Sequence, residues 1–361
     1  MKDIYVRKFK VENFRNLSCD IVEFNKGINI VTGENGNGKT NLLEAIFYLF
    51  QGKTFRKKNG FPQMLSSDCV KSEILFNTLV SKDGEDFYLS GTQGSSKSLF
   101  FLNNKKSPRV KLNSLFISPH DAFLFFNDSN FRKEKMNSIF SIASLDFKEF
   151  LSKYNKILKQ KNSMLKGKIK FNDQLLGVYN SELSILNYEL IKLKTTLLLD
   201  VDAYLKTIFS RIFGDNFKLN LELNSELVDF SPNEINKVYI DNIARELLLK
   251  TSSIGQHRDD YIVFLDGFKA QEYASLGQQK MCYFSILFAF SELLCYKFKE
   301  SPIVLIDDVS GELDHIRLEK LLNYLGSIKS QVFITSANEK AFLEIIKSEV
   351  KLIKICDGKY M

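Results

Sequence analysis

Residues 33 to 40 read GENGNGKT and satisfy G-x-x-x-x-G-K-[ST] at every position. Gly33, Gly36 and Gly38 permit positive φ, so a row of backbone N–H groups can approach phosphate oxygens that side chains would obstruct. Lys39 is placed to reach the β- and γ-phosphates and Thr40 to ligate Mg²⁺, with Glu34, Asn35, Asn37 and Asn41 completing the cofactor-binding set. A second segment, PIVLIDDVSGELD (302 to 314), sets two carboxylates directly after a run of apolar residues. Asp307 is the expected Mg²⁺ carboxylate at the end of a buried strand, and Asp308 the expected general base for an attacking water. A third, YASLGQQK (273 to 280), opens a long apolar helical stretch. There the Ser275 hydroxyl and the N–H groups of Leu276 and Gly277, followed by Gln278, can meet a γ-phosphate at the positive end of a helix. By itself an acidic loop after a strand, or a serine N-cap followed by glycine, is ordinary. The upstream phosphate loop is what gives both segments meaning.

Elements must hold these groups in place. Ile28, Ile30 and Val31 read as a strand into the loop, and Leu42, Leu43, Ala45, Ile46, Leu49 and Phe50 recur at helical spacing after it. Short strands are expected around Ile4 and Val6 and around Ile21, Val22 and Phe24. From 72 to 117, EILFNTLV, DFYLSG, SLFFLNNKK and SLFIS alternate with turn residues and read as antiparallel strands and hairpins. From Asp146 to Phe213 the pattern is helical: Phe147 to Leu165, then Leu175 to Leu197. Gly167 and Asn172-Asp173 between them predict a helical hairpin. Sheet returns with KLNLELNSELVDF, then a helix over 234 to 249, the hairpin YIVFLDG, a helix over 276 to 298 and the strand Ile303 to Ile306. The close is a helix over Arg317 to Ile328, the strand Val332 to Thr335, a helix from Glu339 and the strand Lys351 to Ile355. The expected fold is α/β: a split P-loop core with an antiparallel sheet, formed by 1–119 and 297–361. It is interrupted over 120–296 by a mostly helical inserted domain that carries the YASLGQQK segment.

Bulk properties narrow the function. At 361 residues the chain can hold two domains. No run approaches an 18-residue apolar span and the first residues are charged, so a soluble cytoplasmic protein without a membrane partner is expected. Five cysteines without C-x-x-C spacing and three scattered histidines suggest neither a disulfide framework nor a zinc site, leaving Mg²⁺ brought with ATP. The net charge is +7, and residues 151 to 170 hold seven lysines and no acid. Further basic clusters lie at Lys53, Arg56, Lys57 and Lys58, at Lys105, Lys106, Arg109 and Lys111, and at Arg132, Lys133 and Lys135. Such runs are commonly solvated faces; several in one nucleotide-binding chain favour a polyanion, most simply nucleic acid. Arg56, Lys156, Lys159 and Lys161 are the candidate phosphate contacts, whereas Tyr154 and Leu158 read as hairpin packing.

Stretches along nearly the whole chain resemble one family, the RecF recombination mediators, which are ABC-type ATPases related to the heads of SMC-like proteins. The resemblance rests on FRNL (14 to 17), GENGNGKTNLLEAI (33 to 46), GKTFR (52 to 56), ISPHD (117 to 121), YNKILKQKNSMLK (154 to 166), GQHRDD (255 to 260), SLGQQK (275 to 280), IDDVSGELD (306 to 314) and QVFITS (331 to 336). It implies an ATP-dependent homodimer in which Ser275 of each copy completes the other's nucleotide site, with Asp314 as a dimer contact. It further implies slow, DNA-stimulated hydrolysis and binding to gapped DNA with single- and double-stranded parts. Partners would be RecO and RecR, in loading RecA during gap repair, replication restart and SOS induction. Four positions depart from the family pattern. Gln256 stands for a usual proline, Lys280 for arginine, Gly311 for serine, and Thr335 or Ser336 where a switch histidine is common. Two other readings stay open: the ATPase subunit of a membrane transporter, which membrane fractionation would favour, and an SMC-like nuclease-associated head, which metal-dependent DNA cleavage would favour. Against the first, residues 41 to 274 between loop and signature exceed what a transporter cassette needs; against the second, no long coiled coil or zinc-hook spacing occurs.

Overall fold

The structure, a computed structural model, describes residues 4–56, 60–67, 72–214, 217–309, 315–337 and 350–361. Lys57, Lys58, Cys69 and the helix expected from Glu339 lie outside the described residues. Two compact units emerge: residues 1–123, 208–215 and 276–361, and residues 124–207 and 216–275.

The first unit contains two six-stranded sheets. One is antiparallel: β1 (Ile4–Glu12), β2 (Val22–Glu23), β4 (Glu73–Lys82), β5 (Glu85–Gly94), β6 (Ser98–Leu102) and β7 (Lys105–Ser107), in the order β2-β1-β4-β5-β6-β7. Its two tightest turns are the expected ones. Asp83-Gly84 (φ 52° and 88°) and Asn103-Asn104 (φ 47° and 64°) have the paired positive φ that two-residue hairpins need. The other sheet holds β3 (Ile28–Thr32), β8 (Ser114–Ile117), β12 (Ile303–Ile306), β13 (Val332–Ser336) and β14 (Val350–Cys356), all parallel, in the order β14-β3-β13-β12-β8, with β15 (Lys359–Tyr360) antiparallel at one edge. Against the expectation that SLFIS is a hairpin strand, β8 pairs in parallel with β12. Its four residues are all buried, and continuous apolarity marks a doubly covered parallel strand, not a half-exposed hairpin.

Among the described residues, the helices of this unit are α1 (Lys39–Gln51), α9 (Leu276–Phe298) and α10 (His315–Ser327). Leu276–Phe298 was expected in the inserted domain; it groups with the first unit because it packs on β8. By length and composition it could cross a membrane, which the sequence reading overlooked, yet 78% of its apolar window is buried inside the fold, as in a core helix. Arg109, counted in a basic cluster, is a packing residue. It lies over the rings of Phe100 (4.3 Å) and Tyr48 (5.1 Å) and donates to the Leu49 carbonyl and Gln93.

The remaining helices are α2 (Pro119–Asn127), α3 (Ser129–Ala143), α4 (Leu145–Leu165), α5 (Asp173–Phe213), α6 (Pro232–Asp241), α7 (Ile243–Leu249) and α8 (Ala270–Tyr273). Within the second unit, β9 (Leu219–Asn224), β10 (Asp260–Leu265) and β11 (Phe268–Lys269) form a three-stranded sheet. The helix expected over 234 to 249 is two, broken at Asn242. The segment GQHRDD gathers the unit around itself. Asp260 takes a bidentate Arg132 guanidinium (2.6 and 2.8 Å), and Asp259 pairs with Lys194 (2.7 Å), both cations being buried. The Gln256 N–H donates to Asn187 Oδ1 at 2.7 Å, a bond that the usual proline could not make. His257 Nε2 donates to the Ser252 carbonyl (3.1 Å), so by its partners Nδ1 accepts from the Tyr154 hydroxyl (2.7 Å). Tyr154 is fully buried, in keeping with hairpin packing.

Lys161 contradicts its expected role as a phosphate contact. It is fully buried, ion-paired with Glu246 at 2.7 Å and set 4.1 Å over the Tyr239 ring. Arg132 and Lys133, the latter donating to the His257 carbonyl, are likewise spent inside the unit.

Two outcomes follow. Glu246→Gln leaves the Lys161 ammonium buried without its anion, and urea unfolding should register a loss of about 3–5 kcal/mol. Burial pushes the His257 pKa below its ordinary value against an upward pull from the Ser252 carbonyl. Below about pH 6.5 the unfolded chain therefore takes up a proton that the folded form resists, and stability falls as pH drops from there. Urea midpoints taken from about pH 7.5 to about pH 5.5 should decline less steeply in His257→Asn than in the parent.

Candidate nucleotide site

Three neighbouring parallel strands deliver the site's parts to one edge. The register pairs Ser336 of β13 with Thr32 of β3, and Ile306 of β12 with Ile334 of β13. The phosphate loop after β3 and the two aspartates after β12 thus flank the end of β13, the edge where ligands of parallel sheets bind.

The loop needs its glycines. Gly33 has φ 150°, and a Cβ there would stand 2.2 Å from the Ile355 carbonyl oxygen of β14. Gly38, at φ 109°, is the N-cap of α1 and gives it no side-chain cap. The first-turn N–H groups of α1 are left to a ligand, at the positive end of the helix. Asn37 braces the loop from behind, donating to the Ile355 carbonyl (3.3 Å) and accepting from the Gly358 N–H (3.0 Å).

Lys39 folds over the loop, donating to the carbonyls of Gly33 (2.7 Å) and Glu34 (2.9 Å). Burial pushes its pKa down, opposed by the carboxylates of Asp308 and Asp307. The Thr40 hydroxyl donates to Asp307 Oδ1 at 2.8 Å. Thr335 donates to the same oxygen at 2.6 Å and accepts from the Asp308 N–H at 2.8 Å. Burial is the chief influence on the Asp307 carboxyl, pushing its pKa up, with the Thr335 and Thr40 hydroxyls pulling the other way. Asp308 is exposed and adopts φ 49°, a left-handed conformation that Asp tolerates. A cavity of about 190 Å³ is bordered by Asn35, Gly36, Gly38, Lys39, Thr40 and Asn41, and by Asp307 and Asp308. Its volume falls short of the roughly 300 Å³ at which enclosed ligand pockets begin.

Thr335 and Arg56 also line this cavity. Between the two switch candidates, Thr335 touches the carboxylates; Ser336 is buried beside it. Arg56, expected to meet nucleic acid, instead reaches Glu44 (3.4 Å), and Arg15 reaches the same carboxylate at 2.7 and 3.1 Å. Glu44 is fully buried and also accepts from the Thr54 hydroxyl. Sequence reading missed this cluster, although a carboxylate inside the apolar run of α1 was its signal. It also missed Asn16, which donates to the Gly36 carbonyl (3.0 Å) and accepts from Asn41 (2.7 Å).

Gly277 and Gln278 lie in the first turn of α9 and Ser275 is exposed just before it; neither Gly277 nor Gln278 borders the cavity. Asp314 and Gly311 lie outside the described residues.

Comparison with known proteins places this geometry among relatives. Residues 5–359 match the model of the RecF/RecN/SMC N-terminal domain family. The chain is 32% identical over 366 residues to the DNA replication and repair protein RecF of Lactobacillus acidophilus, covering 95% of each. It is 28% identical over 365 residues to the protein of that name in Clostridium acetobutylicum, covering 99% of each. A solved structure of the recombination mediator protein RecF with ATP, of the RecFOR pathway, superposes with a TM-score of 0.83 at 25% identity, covering 99% of this chain and 97% of that one.

Because Arg15 and Arg56, both partly exposed, converge on one fully buried carboxylate, Glu44→Gln should lower unfolding free energy by about 1–3 kcal/mol. Calorimetry would show this as a lower melting temperature.

Proposed function

Since the chain belongs to the RecF family, within the wider RecF/RecN/SMC N-terminal domain group, we propose that it binds ATP and DNA in recombinational gap repair, replication restart and SOS induction. The observation that supports this reading most is the meeting of Lys39, Thr40, Asp307 and Asp308 around one cavity. The residues suit a nucleotide with Mg²⁺. Backbone N–H groups and Lys39 are placed for phosphate oxygens, while Thr40 and Asp307, already 2.8 Å apart, are an oxygen pair for a hard cation. When bound, Mg²⁺ would neutralise charge on the β- and γ-phosphate oxygens.

The chain's own residues do the rest. The Thr335 hydroxyl holds the Asp307 carboxylate and accepts from the Asp308 backbone N–H, which fixes the start of the loop that carries Asp308. Asp308, exposed on the cavity rim, is the group to accept a proton from an attacking water and orient it. The site's small, open volume suits a half-site, completed when Ser275, Gly277 and Gln278 of a second copy close over the γ-phosphate. ATP then joins the homodimer, and slow, DNA-stimulated hydrolysis releases it. RecO and RecR are the expected partners at gapped DNA, in the cytoplasm, where the complex helps load RecA. Neither a transporter subunit nor a nuclease-linked head is favoured by these relatives.

Light scattering and turnover test this reading together. Without nucleotide the protein should run as a monomer, and with ATP as a dimer. Asp308→Asn should lower turnover roughly 10²–10⁴-fold and hold the dimer, whereas Lys39→Arg should weaken dimer formation. A protein carrying Asp308→Asn that stays monomeric in ATP overturns the half-site.

A further inference from the structure

The proposed DNA partner needs a surface, and most basic clusters do not supply one: Arg109, Arg132, Lys133 and Lys161 are committed to internal contacts. Lys105, Lys106 and Lys111 stay exposed in the first unit, and a longer run of exposed lysines lies in the second. Lys156 and Lys159 on α4 are exposed, as is Lys166, the residue that caps its C-terminal end. At about 100° per residue they fall within about 80° of one another, opposite the buried Tyr154 and Lys161. The stripe then runs into the turn between α4 and α5, where Lys168 and Lys170 are exposed as well. Among the described residues none of these five lysines is ion-paired. From 154 to 178 the only acid is Asp173, and it occupies the first turn of α5, where the helix dipole favours it.

Two further features set this turn apart from an ordinary solvated tip. Gly167 (φ 70°) donates to the Met164 carbonyl and Lys168 to the Ser163 carbonyl, both at 2.9 Å, closing α4 in a Schellman arrangement that sets the path of the backbone carrying the lysines. Between and beside those lysines, Ile169 is 44% and Phe171 41% exposed. Cations interleaved with an exposed aromatic ring are what a strand with unstacked bases recognises, phosphates on the charges and a base on the ring. A duplex offers phosphates and no free base face. An anionic membrane is a poorer fit, because it requires an outward apolar helix face and that of α4 is turned inward.

We infer that the α4–α5 turn, with the lysine stripe leading to it, is a contact for single-stranded DNA, Phe171 stacking on a base. The inference rests on the DNA-binding reading above.

Fluorescence anisotropy of the full chain tests it, using a labelled oligo-dT strand, a duplex of equal length, gapped DNA and phosphatidylserine vesicles across a salt series. The combined change Lys166→Gln, Lys168→Gln, Lys170→Gln should flatten the dependence of log affinity on log salt by about 2, at roughly 0.7 per lost lysine contact on a single strand. Phe171→Ala should weaken oligo-dT binding roughly 5- to 150-fold and leave that slope in place. ATP turnover without DNA should match the parent in both, showing an intact fold. If the parent binds gapped DNA while both variants bind oligo-dT as it does, the inference fails and the DNA reading stands. If the parent binds none of these DNAs, both fail. A loss confined to duplex, or to vesicles, overturns the assignment to a single strand.

Discussion

A hydrogen bond between the Thr40 hydroxyl and Asp307 Oδ1 joins side chains 267 positions apart in the sequence. It exists because β13 lies between β3 and β12, so that the loop after one strand and the acids after another end side by side. The central strand is more than a spacer, since Thr335 at its end satisfies the same carboxylate oxygen and also the Asp308 backbone. A buried carboxylate without such donors would be driven toward its neutral form and lose its affinity for a cation. The antiparallel sheet, the apolar helix α9 and the Arg15–Glu44–Arg56 cluster can all be seen as support for this one edge.

The second unit adds buried ion pairs to an apolar core that includes Phe140, Phe147, Leu183, Leu190, Tyr261 and Val263. Three basic residues that a charge count would assign to the surface, Arg132, Lys161 and Lys194, are buried against Asp260, Glu246 and Asp259. Such pairs contribute little net stability compared with apolar substitutes, but removing one partner is costly. They therefore tie α3, α4, α5, α7 and the GQHRDD turn to a single arrangement. Gln256 shows how a departure from a family pattern can be absorbed: its N–H, absent in proline, meets Asn187, and its side chain accepts from Lys194.

Much of this was legible in the sequence where local chemistry is decisive. The phosphate loop, the buried strand ending in Asp307, the Asp83-Gly84 and Asn103-Asn104 turns and the helix Leu276–Phe298 follow from spacing, periodicity and turn residues alone. What stayed hidden depends on partners distant in the chain. Ser114–Ile117 is apolar whether it pairs antiparallel with a hairpin or parallel with Ile303–Ile306, and only the sheet decides. Lys161 looks like its solvated neighbours until Glu246 arrives from another helix. Arg56 sits in a basic run, yet a carboxylate on α1 turns it toward the nucleotide cavity.

The phosphate loop is also stitched to the last strands of the polypeptide. Gly33 abuts the Ile355 carbonyl, Asn37 bonds to Ile355 and Gly358, and the Gly358 carbonyl accepts from the Ser18 N–H. Residues 355 to 358 thereby serve as a rear clasp on the P-loop. Loosening that clasp would slacken nucleotide capture without altering any group that faces the phosphates.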